Sequence, residues 1–273
     1  MSDVLGLGKK LRDSPLVMGI LNVTPDSFFD GGRYTNLSDA LRQAEAMIEA
    51  GADIIDVGGE STRPGAAPVT ESEELARVMP VVEAIRQRFP IPLSVDTSTP
   101  SVMRAALTLG VEVINDVRAL TREGALSACA DGDGFIVLMH MQGTPATMQR
   151  APQYADLFEE INQFFEDRIS ACAEAGISTS RLILDPGFGF GKTLEHNFKL
   201  VDGLDQFFDH GLPLLMGLSR KRSIAETASD VVAGSVAGHL LAVLAGASIV
   251  RVHDVGPMVS AIQVYKAIKG SSG

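Results

Sequence analysis

The sequence predicts an α/β fold in which eight parallel strands close into a (β/α)8 TIM barrel. Three observations carry that expectation. A short apolar run, a polar or Gly-rich break and an amphipathic segment recur in that order eight times along the chain. The runs are apolar on both faces, as strands buried in a parallel sheet must be. The 273 residues are close to the size of one such barrel, and no linker or composition shift divides them. An open doubly wound sheet is the alternative that the same alternation allows.

Taken in order, the apolar runs fall at 16–21, 54–57, 93–95, 113–114, 135–139, 182–184, 213–216 and 249–252. The helical segments fall at 37–50, 71–89, 101–109, 123–130, 154–175, 193–208, 231–245 and 257–269. Gly51, Gly110, Gly176 and Gly246 follow four of these helices, where a left-handed residue ends the turn. The chain 1–273 reads as a single domain with a core at about 15–269, and 270–273 reads as a flexible tail.

A hydrophobic fraction of 45% is enough for a large core. The formal net charge of -11 repels phosphate backbones, so nucleic acid is not an expected partner. An anionic substrate must then be held by a local basic cluster. No run approaches the roughly 18 apolar residues of a membrane span, and residues 1–13 carry no leader pattern. Cys129 and Cys172 form neither a CxxC pair nor a metal spacing, which suits reduced thiols in the cytoplasm.

Polar residues stand at the C-terminal end of every expected strand: Asn22, Asp56, Asp96, Asn115, His140, Asp185, Ser219 to Lys221, and Arg251 with His253. One such residue is ordinarily a turn former or a helix cap. Eight sets converge on one mouth if the barrel closes, and that mouth is where such barrels place their chemistry. Asp96, Asn115 and Asp185 supply acceptors and an amide suited to a flat heterocycle with adjacent N–H donors and a carbonyl. Arg63, Lys221, Arg251 and His253 supply positive charge, and arginine forks suit phosphate oxygens. The set fits a donor-rich ring carrying a phosphate tail.

Two nucleotide motifs are excluded. Gly191, Lys192 and Thr193 resemble the end of a P-loop, but Pro186 stands where its first glycine is required. Gly187 and Gly189 begin a dinucleotide fingerprint, but Lys192 replaces its third glycine and the sixth strand precedes it. The segment reads instead as a loop that lets backbone approach a flat ligand, with Phe190 available to stack. The five histidines form no zinc pattern, and His196, His210 and His239 read as structural or surface residues.

From about residue 15 to 269 the chain resembles the dihydropteroate synthases. The matching segments are GILNVTPDSF at 19–28, DVGGESTRPG at 56–65, SVDT at 94–97, ND at 115–116, DPGFG at 185–189, SRK at 219–221 and RVHD at 251–254. The resemblance implies condensation of 6-hydroxymethyl-7,8-dihydropterin pyrophosphate with p-aminobenzoate to give 7,8-dihydropteroate and pyrophosphate. It implies Asp96, Asp185 and Lys221 as the catalytic set, with Thr62 and Asn115 joining them on the pterin. It implies Asn22, Arg63, Arg251 and His253 on pyrophosphate, with Asn22 also on Mg2+. It implies Phe28, Thr62, Pro64, Phe190 and Ser219 around p-aminobenzoate. Sulfonamides are then expected inhibitors, and a homodimer through the late helices is expected. The small residues Gly234, Ala237, Gly238, Ala242, Ala245 and Gly246 permit close helix approach there, either to a partner or within the barrel.

Two departures from the family stand out. Phe29 replaces a small polar residue, and the stretch 222–230 is several residues shorter than usual and lacks a glycine. A folate-dependent methyl-transfer barrel would explain Asp96, Asn115 and Asp185, but gives no role to Thr62, Arg63 and Pro64 or to Arg251 with His253. A non-catalytic pterin-binding protein would have no need of the leaving-group residues. The loops 24–32 and 59–67 are long and rich in Gly, Pro and Ser, so they are expected to become ordered after the pterin substrate binds.

Overall fold

In the computed structural model, residues 6–24, 32–60, 69–144, 148 and 152–270 are described. Eight parallel strands form one sheet: β1 (Leu16–Asn22), β2 (Ile54–Gly58), β3 (Leu93–Asp96), β4 (Val113–Asp116), β5 (Phe135–Met139), β6 (Leu182–Asp185), β7 (Leu215–Met216) and β8 (Ile249–Val252). Their hydrogen-bonded order is β6-β5-β4-β3-β2-β1-β8-β7. A parallel bridge between Leu184 and Leu214 joins the two ends, so the sheet is a closed barrel. The open-sheet alternative is thereby excluded.

Helices α2 (Gly32–Glu49), α3 (Glu71–Arg88), α4 (Pro100–Thr108), α5 (Ala125–Ala130), α6 (Leu157–Glu174), α7 (Leu194–Asp202), α9 (Val231–Leu244) and α10 (Val255–Gly270) return the chain between strands or close it. Their ends follow local chemistry. Thr70 and Glu73 form a reciprocal capping box on α3, with acidic residues in its first turn and Arg86 and Arg88 in its last. The Asp156 carboxylate accepts from two backbone N–H groups at the start of α6. The four glycines expected after helices all have positive φ.

Two elements lie outside the expected pattern. Helix α1 (Leu7–Asp13) precedes β1, ahead of the expected core. Leu7 and Leu11 from it join Leu16, Met18, Ile54, Val113, Val137, Ile183, Leu215 and Ile249 in a second buried cluster. These are residues near the N-terminal ends of the strands, so apolar side chains fill that end of the barrel. Helix α8 (Arg222–Thr227) occupies the shortened stretch after Lys221. The segment 193–208 also divides at Gly203, where a Cβ would lie 2.6 Å from the Phe158 ring, and continues as a 3-10 stretch, Leu204–His210. Gly270, expected in the tail, ends α10, and residues 271–273 lie outside the described residues.

The small residues of α9 act within the barrel. A Cβ on Gly234 would lie 2.5 Å from Ala228 Cβ, and one on Gly238 would lie 3.1 Å from the Leu218 side chain. They admit α8 and the end of β7. No helix among the described residues is long and apolar enough to cross a membrane.

Candidate active site

With one barrel end filled by apolar side chains, the polar strand ends gather at the other. At its centre lies Arg251 on β8. Its Nε donates to Asp56 Oδ2 at 2.6 Å and its terminal nitrogen donates to Asp96 Oδ2 at 2.7 Å. Asn115 Nδ2 donates to the same Asp56 oxygen at 3.1 Å. Glycines make the room: a Cβ on Gly58 would touch Asp96 Cβ at 3.4 Å, and one on Gly217 would touch Arg251 Cβ at 3.7 Å. The other Asp56 oxygen is buried and has no hydrogen-bond partner among the described residues.

Two carboxylates thus share one guanidinium, and the charges do not balance. Burial pushes the Asp96 carboxyl up to about 7, against the pull of Arg251 and with the help of the nearby Asp56 charge. The backbone beyond Asp96 is held from beneath. Glu74, buried on α3, accepts from the Thr97 and Thr99 hydroxyls at 2.5 Å each. Asp116 accepts from the Ser98 hydroxyl and from the Arg118 and Leu120 N–H groups at 2.9 and 2.7 Å. The last two bonds shape a turn in which Ala119 and Leu120 have positive φ.

The loop after β6 makes the second wall. Gly187 N donates to Asp185 Oδ1 at 2.7 Å. Burial raises the Asp185 pKa, and Lys221 opposes that shift. The Lys221 ammonium donates to the Phe188 carbonyl and lies 4.5 Å from the centre of the Phe190 ring. Burial lowers Lys221 to about 8 against the attraction of Asp185. An ammonium against an aromatic face is favoured by the ring quadrupole, so Lys221 and Phe190 hold each other.

Ser219 and His253 meet at the β7–β8 side. Ser219 Oγ lies 2.9 Å from His253 Nδ1 and accepts from the His253 backbone N–H at 3.1 Å. Arg220, at φ 56°, forks onto Asp254 at 2.7 and 2.9 Å and fixes that corner. Asn22 ends β1 half-buried, and its Oδ1 lies 3.8 Å from where a Gly58 Cβ would be.

The structure therefore joins Asp96, Asn115 and Arg251 in one hydrogen-bonded group, and it joins Asp185, Lys221 and Phe190 around one loop. Ser219 and His253 form a third group. Phe28, Thr62, Arg63 and Pro64, with Phe29, lie outside the described residues. Arg251, read from the sequence as a pyrophosphate ligand, is engaged here by two carboxylates. Asp56 was legible as a strand end but not as their organiser, because its partner is 195 residues away. Glu74 gave no signal, since a glutamate in a first helical turn reads as a favourable exposed charge. His239 is structural as expected: its Nε2 accepts from the Leu218 N–H at 2.9 Å.

A closed barrel whose mouth offers buried carboxylates and an amide beside a lysine and an arginine is built to hold a polar heterocycle with an anionic group. The class this defines is the pterin-binding enzymes, and the family model described as "Pterin binding enzyme" matches residues 18–253. Among curated relatives, the dihydropteroate synthase of Escherichia coli K12 is 54% identical over 257 residues, covering 93% of this chain and 91% of that protein. The solved Yersinia pestis dihydropteroate synthase with a sulfonamide drug has a TM-score of 0.89 at 50% identity, over 94% of this chain and 95% of that one. The Xanthomonas albilineans dihydropteroate synthase with 4-aminobenzoic acid has a TM-score of 0.88 at 50% identity, over 94% of each chain. This chain belongs to the dihydropteroate synthase family.

Proposed function

We propose that this enzyme condenses 6-hydroxymethyl-7,8-dihydropterin pyrophosphate with p-aminobenzoate, giving 7,8-dihydropteroate and pyrophosphate for folate synthesis. The observation that carries the reading is the pairing of Asp96, Asn115 and Asp185 with Lys221 and Arg251 at one barrel mouth. The carboxylates accept from ring N–H groups of the pterin, and Asn115 and Lys221 complete its hold. An arriving ring donor competes with Arg251 for Asp96. The released arm of the arginine can then reach the pyrophosphate, alongside His253, Asn22 and Arg63.

The bond that breaks joins the pterin methylene to a pyrophosphate oxygen, and its electrons leave with the pyrophosphate. Asp96 and Asp185 favour positive charge on the pterin methylene, while Arg251 and His253 favour negative charge on the departing group. The aromatic amine of p-aminobenzoate is uncharged at neutral pH, so its attack needs no strong base. Phe28, Thr62, Pro64, Phe190 and Ser219 surround it in this reading, and a sulfonamide competes for the same place.

Mg2+ fits the residues present. It is commonly held by one or two protein oxygens, substrate phosphates and waters. The Asn22 amide oxygen is a suitable protein ligand, and the described residues contain no group of three or more His, Cys, Asp or Glu to serve instead. When bound, the ion neutralises charge on the pyrophosphate. The enzyme is read as a cytoplasmic homodimer, supported by the exposed apolar residues Leu241 and Leu244 of α9 and Val264 of α10.

The test is pyrophosphate release from the pterin substrate and Mg2+, with and without p-aminobenzoate. Release that depends on p-aminobenzoate, with 7,8-dihydropteroate formed in equal amount, is the expected result. No product from either mixture would overturn the reading.

A further inference from the structure

Lys192, in a segment that belongs to neither of the two nucleotide motifs it resembles, is 3% exposed. Its ammonium lies 2.9 Å from His140 Nδ1 and 3.1 Å from the Phe190 carbonyl oxygen. It also lies 5.8 Å from the centre of the Tyr154 ring. It therefore ties the end of β5 to the turn that carries Phe190. The frame around this tie is tight. A Cβ on Gly187 would lie 1.8 Å from the His140 carbonyl oxygen, and one on Gly191 would lie 2.7 Å from that of Gln142. The Tyr154 hydroxyl donates to the Gly191 carbonyl at 2.8 Å.

The roles of the two side chains follow from their contacts. Burial lowers Lys192 to about 7 against the attraction of Asp185. In its protonated form the ammonium is a donor only, so His140 Nδ1 then accepts and the ring proton sits on Nε2. Burial, helped by Lys192, keeps that imidazole neutral. Burying a lysine is costly, and a loop tie alone could be made by a neutral group. What sets this ammonium apart is its acceptor, the carbonyl of the residue whose ring faces Lys221 across the mouth.

We infer that Lys192 is a positioning residue for the second substrate: anchored on His140, it fixes the Phe190 backbone and so the aromatic wall against which p-aminobenzoate lies. The inference rests on the functional reading above, in which Phe190 borders that substrate. It weighs on the two substrates unequally: Asp96, Asn115 and Arg251 make no hydrogen bond to this tie, whereas Asp185 and Lys221 sense the Lys192 charge at a distance.

The experiment uses the full-length enzyme with its pterin substrate and Mg2+. Steady-state KM for p-aminobenzoate and calorimetric affinity for a pterin analogue are measured for the wild type, Lys192→Met, His140→Leu, His140→Gln and the Lys192→Met/His140→Leu pair. Losing a charged hydrogen bond of this kind should raise KM for p-aminobenzoate at least about tenfold in Lys192→Met and His140→Leu. Pterin affinity should change by clearly less than KM does, since Lys192 reaches Asp185 and Lys221 only through its charge. His140→Gln, whose amide oxygen can accept in the same place, should restore most of the loss. The double variant should be no worse than the weaker single one, because the two residues act as a unit. An unchanged KM in Lys192→Met, or a loss of pterin affinity as large as the rise in KM, would overturn the inference. If Lys192→Met fails to fold, equal KM values for His140→Leu and His140→Gln would overturn it instead. A wild type that makes no product refutes the functional reading itself, whereas normal turnover without the split refutes only the role of Lys192.

Discussion

Asp185 has one carboxylate oxygen committed to the fold, and the proposed function gives the other to the pterin. The committed oxygen accepts from Gly187 N at 2.7 Å and shapes the loop. Asp185→Ala should therefore weaken a pterin analogue by roughly 10- to 100-fold, from the loss of about 1.5–3 kcal/mol of charged hydrogen bonding. Calorimetry decides it, and unchanged affinity would remove Asp185 from the pocket. Asp96 presents the opposite balance, with a carboxyl pushed from 3.8 up to about 7 by burial. A folded-state pKa above the unfolded one means that the stabilising contribution is complete below the unfolded value and is lost as pH rises through the folded one. Asp96→Asn cannot ionise, so it should gain stability relative to the wild type as pH rises from about 4 to about 7, while losing pterin affinity. The Tm difference should widen by roughly 2–4 °C across that range. A constant difference would mean that Arg251 keeps Asp96 ionised throughout.

At the scale of elements, the β6 loop separates two kinds of left-handed glycine. Gly187 has φ 73°, and a Cβ there would lie 1.8 Å from the His140 carbonyl oxygen, which is backbone and cannot turn aside. Gly176 ends α6 at φ 83° with nothing within 4 Å of its missing Cβ. Gly176→Ala should cost about 1–2 kcal/mol, the conformational penalty alone. Gly187→Ala should cost more than about 3 kcal/mol and abolish pterin binding, since strain and overlap add. Urea denaturation midpoints distinguish them, and equal costs would mean that the loop relaxes freely. These elements also mark what the chain reveals unaided. Runs such as 135–139 were legible because a buried parallel strand is apolar on both faces, and their polar ends located the mouth. Helix α8 was not, since six residues are too few for a helical period to emerge. Nor were the ties between Lys192 and His140, 52 residues apart, or between Arg251 and Asp96, 155 apart, because barrel closure alone creates them. The glycines of α9 were legible only in part. Small residues signal close approach but not to what; Gly234 and Gly238 admit Ala228, Ile224 and Leu218.

On the scale of the whole molecule, a net charge of -11 sets the background against which the site must attract a pyrophosphate. Like-charged surfaces also repel, so any self-association has to rely on apolar contact. Among the described residues the most exposed large hydrophobics are Leu241 and Leu244 on α9, at 58% and 57%, and Val264 and Ile268 on α10, at 60% and 61%; Leu194, Phe198 and Phe208 are less so. Leu241 and Leu244 are three residues apart and share one face of their helix. α9 and α10, which flank β8 in the chain, pack together. Replacing Leu244 and Val264 by lysine together should convert a dimer to a monomer in light scattering at micromolar concentration. In the monomer, exposed substitutions of this kind change stability by no more than about 0.5 kcal/mol. The wild type should instead melt at a temperature that rises with protein concentration, because association stabilises the folded state by mass action. Pterin affinity should be the same in both, since the mouth is formed within one chain. A monomeric wild type would sink the dimer outright, and a dimeric lysine variant would move the interface to another face of the barrel.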